Sequence, residues 1–501
     1  MRKITLVLVF AIFLLAYFLR VMFLPKNSLT FGYDQARDAY TSQQILKGDI
    51  KIQGPSASTP GLYHGVLYYY VLAPGYLLGH GNPIVTAYWM ALINASAVFV
   101  VFCLGYLFTK KAGMGILAAF LFAVSFESTQ YATWLSNPTL GVLTVPLMYL
   151  GLWLWITKGK VWGPILAAVG LGFSVQSEIF LIYHLIPLCI WLFISRKLIT
   201  KKSLVIFGVT FLLSISTMII SEFKFGFRSI GGLQAILVGE GGNLAYAKSL
   251  GDYLVLYLNQ IGRIFAFNSY PGNIGWGGMF VIILAASSLI KKDKVGAFLA
   301  TWLFSHIWVV TVGGTSTPFL MVGIGSAVSL IIAYYLSKWC GSKYKVAVLF
   351  VLFILIYGNI SMIFKENSKG STLFSIQKDM LLSKQISAID YTYSQAQGKP
   401  FSINSLTSPL YINIVWTYLY KWYGFSKYGY VPSWHGRDQI GQLDSLEKVK
   451  KPDAISFLII EPMAGIPPEY LPLTIGEEDS KTKLLDEKYF GELRVQKRGL
   501  Q

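Results

Sequence analysis

At 501 residues the chain is long enough for two or three soluble domains, yet 54% of it is hydrophobic and only 13% charged, a composition that excludes an ordinary soluble globular protein. The net charge of +18 would suit nucleic acid, but the basic residues cluster in short stretches between apolar runs, which is how membrane orientation is set. The three cysteines, Cys103, Cys189 and Cys340, lie in or beside apolar segments without paired spacing, so neither a disulfide framework nor a zinc site is indicated.

The N-terminus, Met1-Arg-Lys followed by Ile4 to Leu24, is too long for a cleaved signal core and lacks a small-x-small cleavage site. It reads as a retained signal anchor and first span. Further apolar segments fall at 84–108, 112–126, 139–157, 161–176, 179–195, 203–221, 276–290, 295–312, 317–337 and 345–364, giving about eleven spans. With a cytoplasmic N-terminus, the cytoplasmic loops are Arg2-Lys3, Lys110-Lys111, Lys158 to Lys160, Arg196 to Lys202, Lys291 to Lys294 and Lys338 to Lys345. All are basic, and Asp293 is their only acid, as the positive-inside rule requires. The opposite loops hold Asp34, Asp38, Glu127, Glu178, Glu222, Glu240 and Asp252, so the outer side is the acidic side.

A further apolar run, Leu62 to Leu78, contains Tyr68-Tyr-Tyr70, Pro74 and Gly75. A crossing there would swap every later loop, so it belongs to the outer interface or to a re-entrant hairpin. The stretch 223–275 reads as a long outer loop with an interfacial helix near 252–268. Beyond residue 365 charged and small residues rise. Odd span parity places this tail outside, as a small α/β domain of about 130 residues. Leu381 to Ala396 reads as a helix, Phe401 to Leu406 and Ala454 to Ile460 as strands, and Gly491 to Lys497 as an edge strand.

The first outer loop carries the densest chemistry. Gln35 to Lys47 reads as a helix closed by Gly48, with Asp34 at its N-cap. Asp34 and Asp38 are one turn apart on one face, where like charges repel unless a cation sits between them; Arg37 is close but points partly elsewhere. A carboxylate there could act as a general base on an incoming hydroxyl or amine, or help hold a divalent metal; capping alone explains Asp34 about equally well. In Ser221-Glu-Phe-Lys-Phe-Gly-Phe-Arg228, the cations Lys224 and Arg228 suit an anionic headgroup or phosphate, although snorkelling anchors are the commoner case. His64, Asn137, Gln176 and Glu178 are polar residues at outer span ends or in the first loop, suited to lining a substrate cavity or to lying among headgroups.

The order of these features resembles the GT-C superfamily of membrane glycosyltransferases, over residues 1–365. Tyr33-Asp-Gln-Ala-Arg-Asp38 is followed by Gly65-Val-Leu-Tyr-Tyr-Tyr70, Asn82-Pro83 and a span, and later by Glu222-Phe-Lys224. The bacterial protein O-mannosyltransferase and aminoarabinose transferase group is the nearest in pattern, and the tail, with Gly398-Lys-Pro-Phe401 and Tyr418-Leu-Tyr-Lys-Trp-Tyr-Gly424, looks like its extracytoplasmic domain.

The resemblance implies a mainly α, polytopic GT-C helix bundle with a small C-terminal extracytoplasmic α/β domain, in the plasma membrane. It implies a polyprenyl-phosphate sugar donor, a protein, lipid or glycan acceptor, and inversion at the anomeric carbon. Asp34 would be the base, with Asp38 beside it. Carried over by position, Glu222 and Lys224 would belong to the donor-phosphate region; Arg228, His64, Gln176 and Asn137 join them as donor-phosphate or substrate-binding candidates on their residue chemistry and position alone. A divalent metal is left open, with Asp34 and Asp38 as its candidate ligands. Glu178 departs from the pattern, because relatives carry a His two residues after the Gln matched by Gln176. The rival reading is a transporter or flippase for a lipid-linked saccharide. It would place polar residues near the bilayer midplane in repeated halves, whereas here the acids gather at outer ends and no repeat is visible. A cell-surface binding protein would leave so large a membrane part without purpose.

Overall fold

The computed structural model describes residues 3–57, 59–238, 249–291, 293–313, 317–340, 343–439 and 443–501. Glu240, counted among the outer acids, lies outside the described residues. Every apolar segment read from the sequence is helical, from Lys3–Val21 and Pro83–Thr109 to Lys345–Glu366. The first helix buries Val9, Ile12, Ala16 and Leu19 along one stripe and exposes Leu6, Val7, Phe10, Leu14 and Phe18 on the other. The helix Lys345–Glu366 likewise exposes Leu349, Phe350, Phe353 and Tyr357. Large apolar side chains on the outer face are the signature of helices solvated by lipid.

Among the described residues, five helices are long and apolar enough to cross a membrane, or up to seven if two bent pairs each count as one span. The bends are 58° between Ala112–Ala123 and Phe126–Ala132, and 57° between Lys201–Ser214 and Ser216–Phe225. At the first, the Ser125 hydroxyl accepts the Ser128 N–H at 3.3 Å and opens a new helix. Shorter apolar helices, Ile179–Ile194, Ile274–Ile290 and Ile324–Cys340, complete a multi-pass membrane bundle.

The run read as interfacial is a single helix, Leu67–Leu78, only 12 residues long. At about 1.5 Å per residue it is too short to span. It packs between Tyr33–Leu46 and Pro83–Thr109: Ser42 donates to the Tyr69 carbonyl at 3.1 Å and the Trp89 indole N–H to that of Val71 at 2.8 Å. The stretch read as a long loop at 223–275 contains the helix Arg228–Val238 and, close to the helix expected near 252–268, Leu250–Phe267.

The C-terminal segment forms one sheet of five strands: β1 (Ser402–Leu406), β2 (Ser433–Trp434), β3 (Ile455–Ile460), β4 (Thr482–Phe490) and β5 (Leu493–Leu500). Their order is β2-β1-β3-β5-β4, with β1 parallel to both β2 and β3 and the β3–β5 and β4–β5 pairs antiparallel. The run expected to be an edge strand, β5, is interior. The edge on that side is β4, whose Leu484, Leu485 and Tyr489 are exposed, so it shows no alternation by which to read it; β2 is the other edge.

This segment is stitched to the first loop. Phe31 N–H donates to Met380 O, and Leu382 N–H to Leu29 O, both at 2.9 Å. The Tyr418 hydroxyl donates to Gly81 O at 2.6 Å and accepts from the Gln43 amide at 2.7 Å. One apolar cluster runs from Phe31, Tyr68 and Tyr76 through Tyr418 and Trp416 to Phe457 and Val495.

Candidate active site

The helix after the first span begins two residues earlier than expected, at Tyr33, and Gly32 is its N-cap. The Gln35 side chain reaches back to accept the Gly32 N–H at 2.9 Å. Asp34 therefore sits in the first turn rather than at the cap, and its carboxylate is not spent on capping. Arg37 does not point elsewhere. Its Nη1 lies 2.8 Å from Asp34 Oδ1, and its Nη2 and Nε each lie 2.8 Å from Asp38 Oδ1. Asp34 is 53% exposed and Asp38 fully buried, so Asp38 anchors the guanidinium from behind while Asp34 faces open space. Burial pushes the Asp38 carboxyl up to about 7 against the pull of Arg37. Burial would lower the Arg37 pKa, but Asp38 and Asp34 outweigh it and hold the guanidinium charged.

Asp34, Arg37 and Gln35 line an open cleft of about 490 Å³. Its other walls come from the loop with His64, from Trp134 and Ser136 to Pro138, from Glu178, from Phe319, and from Phe374 to Gln377, Met380, Ser408 and Pro409. The His64 loop is pinned by a close approach. Gly65 N–H donates to Gln176 O at 2.8 Å, Leu67 N–H to Gln176 Oε1 at 3.2 Å, and the Gln176 amide donates to Ser214 O at 2.6 Å. A Cβ on Gly65 would fall 2.3 Å from Gln176 Oε1 and 2.8 Å from its Cα. Gln176 thus holds the loop, and two residues on the same helix end presents Glu178. His64 Nδ1 accepts the Ile179 N–H at 3.2 Å and lies 3.6 Å from Glu178 Oε1. Burial, helped by Arg37, lowers the His64 pKa to about 3, and burial raises Glu178 to about 8.

Of the residues read from sequence, the structure brings Asp34, His64 and Asn137 to the cleft and places Asp38 and Gln176 behind it. Glu222, Lys224 and Arg228 do not line it. The Glu222 carboxylate accepts the Ser229 N–H at 3.2 Å and the Ser229 hydroxyl, capping the helix Arg228–Val238. Lys224 and Arg228 are exposed, packed over the Phe225 ring at 5.5 and 5.6 Å. Trp134, Phe319, Phe374, Gln377 and Ser408 were not legible as site residues, because only the tertiary fold gathers them. As a metal pair Asp34 and Asp38 do not fit: the guanidinium already occupies the space between their carboxylates. Among the described residues no group of three or more His, Cys, Asp or Glu could hold a metal ion.

No family model matches the sequence, and no curated protein matches it. Solved structures do. ArnT from Cupriavidus metallidurans bound to undecaprenyl phosphate superposes with a TM-score of 0.61 at 10% identity, covering 98% of this chain and 97% of its own. ArnT in the apo state gives 0.60 at 11% identity with the same coverage. The archaeal oligosaccharyltransferase AglB from Archaeoglobus fulgidus, in complex with an inhibitory peptide and a dolichol-phosphate, is more distant, with a TM-score of 0.45 at 13% identity over 73% of this chain and 56% of that one. At such identities the ArnT likeness speaks for the fold, and it runs through the bundle and the C-terminal sheet alike.

Proposed function

From a chain that carries the GT-C fold, we propose a membrane glycosyltransferase that moves a sugar from a polyprenyl-phosphate donor to an acceptor on the extracytoplasmic face of the plasma membrane. The observation that carries this reading is the open Asp34 carboxylate, fixed at the cleft by an Arg37 that is itself anchored on buried Asp38. The undecaprenyl phosphate bound by ArnT supports the choice of donor.

In the reaction, Asp34 takes the proton of an acceptor O–H or N–H as the acceptor lone pair bonds to the anomeric carbon. The bond from that carbon to the phosphate oxygen breaks, its electron pair leaving on the polyprenyl phosphate, and the configuration inverts. Asp38 and Arg37 do not exchange protons; they fix the base in place. Lys224 and Arg228, exposed at the end of a bent helix pair, are suited to meet the lipid phosphate as it arrives from the bilayer. His64 and Asn137 line the sugar side of the cleft, and Gln176 acts through the His64 loop.

The charge pattern supports eleven spans, a cytoplasmic N-terminus, a transmembrane domain over 1–365 and an extracytoplasmic domain over 366–501. Replacing Asp34 with Asn tests the chemistry. Sugar transfer in membranes should fall by about a hundred- to ten-thousand-fold, the range for loss of a general base, with the protein still extracted in folded form. Wild-type turnover in that variant would remove Asp34 from the mechanism.

A further inference from the structure

The same cleft carries a second group of residues, beside the Asp34–Arg37 pair, whose chemistry is different. Glu178 is 2% exposed there, and among the described residues no lysine or arginine lies within ion-pair distance of it. Its side-chain neighbour is His64 at 3.6 Å, and its Oε1 accepts the Phe180 N–H at a long 3.4 Å. A buried carboxylate without a cation is costly and is kept as the acid. His64 is neutral too, and because Nδ1 accepts the Ile179 N–H, its proton sits on Nε2. Asn137 spends its amide N–H on the Ser177 carbonyl, which leaves its own carbonyl oxygen as an acceptor. This group therefore offers an acid O–H, an imidazole N–H and an amide carbonyl, with no formal charge.

One wall is aromatic. Phe374 stacks on Tyr131 with ring centroids 4.3 Å apart, and Trp134 lies 5.0 Å from the same Phe374 ring. Trp134 and Phe374 both line the cleft. An aromatic wall in the same cleft as a few hydrogen-bonding groups suits a pyranose, whose C–H side is apolar and whose edge is hydroxyl-rich.

We propose that Glu178, His64, Asn137 and the Trp134–Phe374 wall form the sugar subsite, and that it takes an uncharged, hydroxyl-rich sugar rather than a cationic aminosugar or an anionic uronic acid. The inference rests on the transferase reading above and names its donor class. An ammonium placed against this group would be stripped of water beside a protonated acid, and a carboxylate would meet an aromatic wall with Arg37 already committed to two aspartates.

The test offers purified protein three short-chain prenyl-phosphate donors: a neutral hexose, a 4-amino sugar and a uronic acid. The expected result is kcat/KM for the hexose at least about tenfold above both others, the scale on which a pocket rejects an ill-fitting group. In Glu178→Ala the KM for the hexose donor should rise by about tenfold with a smaller change in kcat, and Glu178→Gln, which still donates a hydrogen bond, should recover part of that rise. Preference for the amino sugar, with both Glu178 variants equally impaired, overturns the sugar class while leaving the transferase intact. No Asp34-dependent transfer from any donor overturns the transferase reading and this inference with it.

Discussion

Two groups of residues at the cleft solve the same problem differently. Each places a carboxyl group in protein with little water around it. In one, Asp38 is fully buried and keeps a guanidinium against it, and that guanidinium in turn holds the exposed Asp34. Nearby in the same cleft Glu178 is as buried but has only a neutral imidazole beside it, and burial raises its carboxyl to about 8, above the about 7 of Asp38. The first arrangement preserves a negative charge at the surface of the cleft, where a proton acceptor is useful. The second removes charge and leaves a hydrogen-bond donor. On the proposals above, the contrast would separate a reactive group of residues from a recognition group within one cavity.

Removing the cation breaks the contrast most severely. Arg37→Met should leave Asp38 buried without a partner, at a cost of about 3–5 kcal/mol in stability, and should disorder Asp34. Chemical unfolding in detergent and a transfer assay would report both, and unchanged stability would mean that Asp38 is satisfied by something else. Next in size is Gly65→Ala. The added methyl meets the Gln176 backbone as well as its side chain, so the His64 loop must shift. A loss of about 1–3 kcal/mol is expected, as for overpacking, with a rise in donor KM; a thermal melt and steady-state kinetics check it.

The smallest effect is the most specific. Glu178 has an ordinary value of 4.5 and is raised to about 8 by burial. Between those pH values the folded protein holds a proton that the unfolded chain has released, so stability falls as pH rises through that window. One group contributes a slope of at most about 1.4 kcal/mol per pH unit. Glu178→Gln cannot titrate and should flatten the melting temperature against pH between pH 5 and 8 relative to wild type. An unchanged slope would show that Glu178 is ionised in the fold and would place charge in both groups.

Much of the architecture is legible in sequence because the bilayer imposes long apolar runs, and each run read as a span is largely helical, although several are broken or bent into two helices. The strands β1 and β3 are legible for the same reason, since buried parallel strands are continuous apolar runs. β4 is not, because its apolar side chains lie outward at an edge and nothing distinguishes them from a loop. At the site, the spacing of Asp34 and Asp38 asks for a cation between them, and Arg37 supplies it. Its direction depends on a rotamer that the sequence does not specify. Lys224 and Arg228 are recognisable as surface cations, but their separation from the cleft follows from the helix that Glu222 caps. Trp134 and Phe374 are 240 residues apart in the chain, and only the packing of the segment after the last apolar helix against the bundle brings their rings together.

That packing has a consequence for how the protein is made. The Asp34–Arg37 pair is synthesised within the first 40 residues, whereas Phe374, Gln377, Met380, Ser408 and Pro409 are synthesised last among the walls of the cleft. The bridge between Thr30 and Leu381 joins chain segments that leave the ribosome far apart in time. Throughout insertion of the helical bundle the cleft therefore lacks a wall, and Asp34 faces open solvent without a formed pocket. On this order of synthesis, the walls around Asp34 are complete only once the segment after the last apolar helix has been made and packed against the first loop.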